Sequence, residues 1–292
     1  MTVTSSPLRY PGGKSSLFPL MRDLLRVNGF DGLPYAEPYA GGCGLALDLL
    51  FAGDVAEIHI NDLDLSIWSF WHSVLFQTKE FVELIEKTPV TIEEWHKQRE
   101  IQTSKNQTSE LQLGFAAFFL NRTNRSGIIK GAGMIGGKEQ TGTYKIDCRF
   151  NKETLIRRIL RIQKYKDLIF LTNLDAIEFM SNRSGNIPSE TFFCIDPPYF
   201  NKGSSLYTSF YGPNDHAGVA KLVQSLDSPW VVTYDNVYEV RKLYYSQRQY
   251  AFNINYSVQT KRIGTELLIT SPQVLVPSSL RGKRIITEPA AA

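Results

Sequence analysis

Cysteine and histidine are scarce in this sequence of 292 residues, with three of the first and four of the second. Cys43, Cys148 and Cys194 are odd in number and widely spaced, which excludes a disulfide framework and paired zinc-ligand spacings. His59, His72, His96 and His216 stand alone, with no HExxH pair, so no metal is expected. Long apolar runs are lacking too. The stretch GFAAFFL at 114–120 falls far short of the ~20 residues a bilayer span needs, so no membrane helix is expected. The beginning, MTVTSSPLRYPGG, has neither the basic start nor the apolar core of a secretion signal, and a cytoplasmic protein is the expectation. With 42% hydrophobic and 21% charged residues, the composition is that of globular material rather than of a disordered or fibrous chain.

What is present is unevenly placed. The net charge is only +3, yet residues 121–166 hold 12 Lys/Arg against 3 Asp/Glu, leaving 20 Lys/Arg against 26 Asp/Glu elsewhere. Basic groups gathered in one segment suit a polyanion, because neutralising phosphates needs cations clustered on one face. The rival reading is a solvated helix face, which RRILRIQKYK could supply alone.

Short apolar runs that end in polar or turn residues recur along the chain: LPYAEPY (33–39), AEIHIND (56–62), LIFLTN (168–173), TFFCIDPPY (191–199) and WVVTYDN (230–236). Helical periodicity follows several of them, as in GLALDLLF (44–51) and AIEFMSN (176–182). This alternation predicts an α/β fold with a doubly wound, mostly parallel sheet covered on both faces. YAFNINY (250–256) and ELLITS (266–271), with little but QTKRIG between them, predict antiparallel end strands. About a hundred residues separate the second and third strands, far more than a crossover needs. They read as an inserted, mainly helical domain over 66–165 that carries the basic segment, with 1–65 and 166–292 forming the sheet domain. The tail PSSLRGKRIITEPAAA reads as loop or frayed terminus.

In a doubly wound sheet, ligands bind beyond the carboxyl ends of the strands, near the point where strand order reverses. EPYAGGCG (37–44) places Glu37 there, with Gly41, Gly42 and Gly44 allowing a sharp turn close to a ligand. Asp62 closes the next strand, where a carboxylate can accept from ribose hydroxyls. A dinucleotide fingerprint would need glycine at position 47, which is Leu47, and RYPGGKSS fails as a P-loop because position 8 is Leu8. Without a phosphate cradle, nicotinamide and ATP are weaker choices, and the cationic, phosphate-free S-adenosylmethionine suits a site with Glu37, Asp62 and Asp175 at strand ends.

Asp196 and the carbonyl of Pro197 then offer two acceptors for the hydrogens of an exocyclic amino group. Such a nitrogen is a poor nucleophile until its lone pair is drawn out of the ring. Pro197 and Pro198 fix the backbone that carries the carbonyl, and Tyr199 offers a flat face for a base. This is positioning and electrostatics, with no covalent nucleophile required. An amino group inside a duplex is reached only by rotating its nucleotide out, at a cost of a few kcal/mol that phosphate contacts from a basic insert would offset.

At these residues the chain resembles the Dam-like adenine-N6 DNA methyltransferases. The similarity runs through RYPGGK, EPYAGG, INDLD, NRTNRSG, YKIDCRFN, DPPY and WVVTYDN, in the family's order. The resemblance implies a methyltransferase-type sheet and places Tyr10 and Lys14 against the cofactor, with Tyr39 and Gly41 in its loop. It further implies that Asp62 binds the ribose, that Asp175 lies near the cofactor's adenine, and that Asp196 to Tyr199 form the catalytic motif. Asn121, Arg122, Arg125, Lys145, Arg149 and Asn151, in the insert, are implied as contacts to double-stranded DNA. A cognate restriction endonuclease is a partner this resemblance allows. The usual F-x-G-x-G is replaced by Tyr39-Ala40-Gly41-Gly42-Cys43, with the second glycine displaced to Gly44. An RNA adenine methyltransferase and a DNA-binding regulator with a vestigial catalytic fold remain the alternatives.

Overall fold

The computed structural model describes residues 4–10, 13–182, 185–200, 211–256, 262–281 and 283–285. Pro11 and Gly12 of RYPGGK, residues 257–261 of the end-strand connection and residues 286–292 of the tail lie outside the described residues. Strands are β1 (Tyr35–Glu37), β2 (Ile58–Asn61), β3 (Ile169–Thr172), β4 (Phe192–Ile195), β5 (Trp230–Asp235), β6 (Arg248–Tyr256), β7 (Arg262–Thr270) and β8 (Arg284–Ile285). They form one sheet in the order β3-β2-β1-β4-β5-β7-β6-β8. Neighbours from β3 to β5 are parallel, whereas β5/β7, β7/β6 and β6/β8 are antiparallel. The fold is therefore α/β, with a mostly parallel start and antiparallel end strands.

Alternation along each strand sends side chains to two faces. Tyr35, Ile58, Phe192, Cys194, Val231 and Leu268 enter one core, and Ala36, Phe193, Ile195, Trp230, Val232 and Ile269 enter the other. The first face is covered by α1 (Phe18–Asn28) and α2 (Gly44–Ala52) together with α3 (Leu65–Phe76), α4 (Thr78–Lys87), α5 (Ile92–Thr103), α6 (Glu110–Thr123) and α7 (Lys152–Gln163). The second is covered by α8 (Ala176–Met180), α9 (Pro213–Gln224) and α10 (Tyr238–Leu243).

The helices of the long interval start where capping chemistry dictates. Thr91, Ser109 and Asn151 accept backbone N–H groups at the starts of α5, α6 and α7. These helices share the first core with the sheet: Phe70, Phe118, Phe119, Phe150 and Ile159 lie in the same continuous cluster as Tyr35 and Ile60. Trp71 of α3 also donates its indole N–H to the carbonyl of Gly41, 2.9 Å away. One apolar interior thus runs across the boundary expected at residue 65.

The tail departs from expectation. Residues Ser278–Arg281 form a short helix, α11, and β8 adds an edge to β6 through Gln249 and Tyr250. The signal was weak because two paired residues carry almost no periodicity.

Candidate active site

Strand order reverses between β1 and β4, whose connections leave in opposite directions, so the crevice lies at the carboxyl ends of these strands. Glu37 ends β1 and Asp196 directly follows β4. The Glu37 carboxylate is buried and accepts the Tyr35 hydroxyl at 3.0 Å. Burial, and after it the charge of Asp196, moves its pKa from an ordinary 4.5 up to about 8, against the lowering effect of the Tyr35 bond.

That shift has a measurable consequence. Between pH 4.5 and about 8 the unfolded chain releases a proton that the folded chain keeps, so stability declines as pH rises through this window and levels off above it. Glu37→Gln removes the penalty while retaining an acceptor for Tyr35. Its thermal midpoint, measured without ligand, should exceed the parent's by several degrees at pH 8.5, at about 2–4 °C per kcal/mol. At pH 4.5 the two midpoints should converge, and an equal difference at both pH values would contradict this account.

The loop after β1 is held from several directions. Gly41, at φ +46°, donates its N–H to Asp62 Oδ2 at 2.9 Å, and the other carboxylate oxygen accepts the N–H of Asp64 at 2.9 Å. Asp62 thus ties the loop to the end of β2, and burial pushes its pKa up to about 7. Tyr10 lies against the loop: a Cβ on Gly41 would stand 2.6 Å from its ring. The displaced Gly44 has a packing reason, because a Cβ there would clash with Ser15 Oγ, where the turn of 3-10 helix Lys14–Leu17 crosses the start of α2. The Tyr39 and Tyr211 hydroxyls are 3.1 Å apart. Asp175 is exposed and caps α8 through the N–H of Ile177 at 2.8 Å.

Around Asp196 the side chains form a charged network. Its Oδ1 lies 3.1 Å from Lys14 Nζ and accepts the Thr233 hydroxyl at 2.6 Å. Lys14 Nζ is also 3.4 Å from Glu266 Oε2, and Glu266 Oε1 accepts the Tyr199 hydroxyl at 2.6 Å. The Asp196 side chain is 23% exposed, against 7% for Lys14 and none for Glu266. Burial raises the Asp196 pKa; Lys14 opposes that rise and Glu266 adds to it. Tyr199, expected from sequence to offer a flat face to a base, is 6% exposed. Asp235 accepts the N–H of Phe200 at 3.0 Å, and the Phe200 ring packs on His216, whose Nδ1 is 2.6 Å from the Tyr234 hydroxyl. Three successive residues of β5, Thr233, Tyr234 and Asp235, therefore hold the segment that follows β4.

Sequence reasoning missed Glu266 and the separate parts of Thr233 and Asp235. A lone acid opening the apolar run ELLIT was the available signal, and the antiparallel pairing sets Glu266, in the middle of β7, opposite Asp235 at the end of β5. Lys14 lies against both Asp196 and Glu266, so two acids share one cation at this edge, a setting suited to a positively charged ligand. Among the described residues no group of His, Cys, Asp and Glu is arranged to hold a metal ion, and no helix is long and apolar enough to cross a membrane.

The basic segment reaches this edge through Arg9. Asn121, expected at the polyanion, is fully buried: it accepts the N–H of Arg9 at 2.7 Å and donates to the carbonyls of Arg9 and Gly127 at 3.0 and 2.7 Å. Its amide is spent inside the chain, and it positions Arg9 instead of facing outwards. Arg122 donates to the carbonyl of Arg149 at 2.8 Å, and Arg158 donates to that of Ser6 at 2.9 Å. Burial, then Arg9, Arg158 and Arg149, push the Arg122 pKa down to about 9. Arginine ion pairs among the described residues involve Arg22, Arg26 and Arg157, and none of these four. Arg125 is exposed, Arg149 stacks its guanidinium over Tyr144, Lys145 donates to the carbonyl of Gln140, and Asn151 caps α7.

Comparison with known proteins gives one positive result. The family model described as D12 class N6 adenine-specific DNA methyltransferase matches residues 10–262. None of the curated proteins compared with the chain matches it.

Proposed function

The chain belongs to the D12 class of N6 adenine-specific DNA methyltransferases, and from that premise we propose that it acts on an adenine rotated out of duplex DNA, with Asp196 as the acid that receives the amino group. The protein is an adenine-specific DNA methyltransferase that uses S-adenosylmethionine, and DNA is its substrate. The observation that carries the residue assignment is the half-open carboxylate of Asp196, fixed at the strand-order reversal by Thr233 and Lys14.

When bound, S-adenosylmethionine supplies an electrophilic methyl group on a sulfonium. Tyr10, Lys14, Glu37, Tyr39, Gly41, Asp62 and Asp175 form its site in this reading. The excess of acids fits a cation, and a cation beside Glu37 and Asp62 would favour their ionised forms. Asp196 and the carbonyl of Pro197 hold the two amino hydrogens of the adenine and draw its nitrogen towards tetrahedral geometry. Pro197 and Pro198 keep that carbonyl in place, and Tyr199 walls the purine. Catalysis rests on fixed acceptors aimed at the reacting nitrogen, which need no rearrangement as the charge develops.

Residues 66–165 serve as the DNA-recognition part, built as an extension of the catalytic core. Arg122, Arg125 and Arg149, joined by Arg9 and Arg158, contact phosphates; Asn121, Lys145 and Asn151 act by shaping the loops that carry them. Their charge offsets the cost of unstacking the target. We assign the enzyme to the cytoplasm, where it marks a short duplex sequence, with a cognate restriction endonuclease as the partner such a mark protects against.

Labelled methyl transfer to duplex DNA, single-stranded DNA and RNA of one sequence tests the reading. Label should appear as N6-methyladenine in duplex DNA at one recurring site. Transfer confined to RNA, or to unpaired strands, would refute the flipped-base substrate.

A further inference from the structure

Glu266 is fully buried, yet it sits on β7, an antiparallel strand that a doubly wound catalytic sheet does not need for its crevice. Its register partner on β5 is Asp235, so two acids stand side by side at this edge. A buried carboxylate is costly unless its oxygens are engaged. Both oxygens of Glu266 turn to the catalytic motif: one takes the Tyr199 hydroxyl at 2.6 Å, and the other faces Lys14 at 3.4 Å. Lys14 is at the same time 3.1 Å from Asp196 and 5.4 Å from the centroid of the Tyr199 ring.

We propose that Glu266 is a positioning residue for methyl transfer: it shares Lys14 with Asp196 and tethers Tyr199, so that the Asp196 carboxylate stays available to the adenine amino group. The proposal rests on the assignment of Asp196 made above. A lysine paired with Asp196 alone would satisfy the carboxylate and weaken it as an acceptor. Two acids sharing one ammonium leave each only partly neutralised. The Tyr199 tether adds a geometric part, because a ring fixed at its hydroxyl cannot turn into the space the base requires.

The charge environment makes the effect readable. Asp196 is faced by Lys14 from the N-terminal turn, Glu37 from β1, Cys194 from β4, Thr233 and Tyr234 from β5, and Glu266 from β7. Of these, Glu266 raises the proton affinity of Asp196 and Lys14 lowers it. Removing the Glu266 charge while keeping its shape should therefore move the acid limb of the rate profile to lower pH, because Asp196 then ionises more readily. A residue that merely supported the fold would lower activity without moving that limb.

The experiment is single-turnover methylation of duplex DNA across pH by the full chain and by Glu266→Gln, Lys14→Met and the double variant. Glu266→Gln should lower the plateau rate roughly ten- to hundredfold, the range for touching groups, with a smaller change in DNA and cofactor affinity and the acid limb displaced downward. The double variant should be no slower than Lys14→Met alone, since Glu266 acts through the lysine. If Glu266→Gln fails to fold, the double variant, which removes the acid and its cation together, still gives that comparison. An unmoved acid limb, or strictly additive losses in the double variant, would overturn the proposal. A parent enzyme that methylates duplex adenine while Asp196→Ala matches its rate would instead sink the assignment of Asp196 on which this one rests.

Discussion

Asp196→Ala should abolish methyl transfer, by about a thousandfold or more in single-turnover rate, while DNA and cofactor still bind. The magnitude follows from what is lost. Removing one fixed group aimed at the reacting atom commonly costs about 10²–10³ in rate, and here the same side chain also anchors Lys14 through its 3.1 Å contact. DNA affinity should persist because Arg9, Arg122, Arg149 and Arg158 cluster around a different part of the chain. Fold stability should persist as well: Lys14 keeps Glu266, and truncation relieves a carboxylate whose burial raises its pKa. Quenched-flow methyl incorporation beside anisotropy with labelled duplex checks both halves. Parent-like turnover would remove Asp196 from the mechanism.

Arg122→Ala should weaken DNA binding about ten- to a hundredfold without altering the rate of methyl transfer at saturating DNA. Burial, and after it the charges of Arg9, Arg158 and Arg149, lowers the Arg122 pKa, so four guanidinium groups stand close together with reduced access to water and repel one another. Such an arrangement becomes favourable once phosphate oxygens enter it. Loss of one phosphate contact should also flatten the plot of log affinity against log salt by about 0.9. Titrations at several salt concentrations give both numbers. A variant with weaker binding but an unchanged slope would place Arg122 in loop support rather than against a phosphate.

Much of this was legible before any coordinates. TFFCIDPPYF declared a buried strand stopped by an acid and two prolines, and the structure puts Asp196 at the sheet's order reversal. The parallel strands were readable because each is a short apolar run closed by polar residues, and the antiparallel pair because so little chain separates its members. Other features resisted for physical reasons. Glu266 joins Lys14 across some 250 residues of sequence, and no local pattern encodes such a meeting. Asn121 looked like a polar residue at the head of a basic loop, whereas burial and three hydrogen bonds to backbone commit it inward. The flat face of Tyr199 is legible in DPPY, but the bond from its hydroxyl to Glu266 is not, because the partner lies far along the chain.

The interior that the sheet shares with the helices of residues 66–165 limits how this enzyme could be re-targeted if those helices carry the DNA-reading surface proposed for them. Phe70, Phe118 and Phe150 pack in the same cluster as Tyr35 and Ile60, and Trp71 grips the backbone of Gly41. A chimaera made by transplanting residues 66–165 from a relative would exchange a large part of that interior as well, and would misfold unless the two parts were matched. Substitutions between α6 and α7 would leave the packed helices untouched only at exposed positions such as Arg125, Lys138 and Thr143, with the buried Asn124, Met134, Ile146 and Phe150 kept in place.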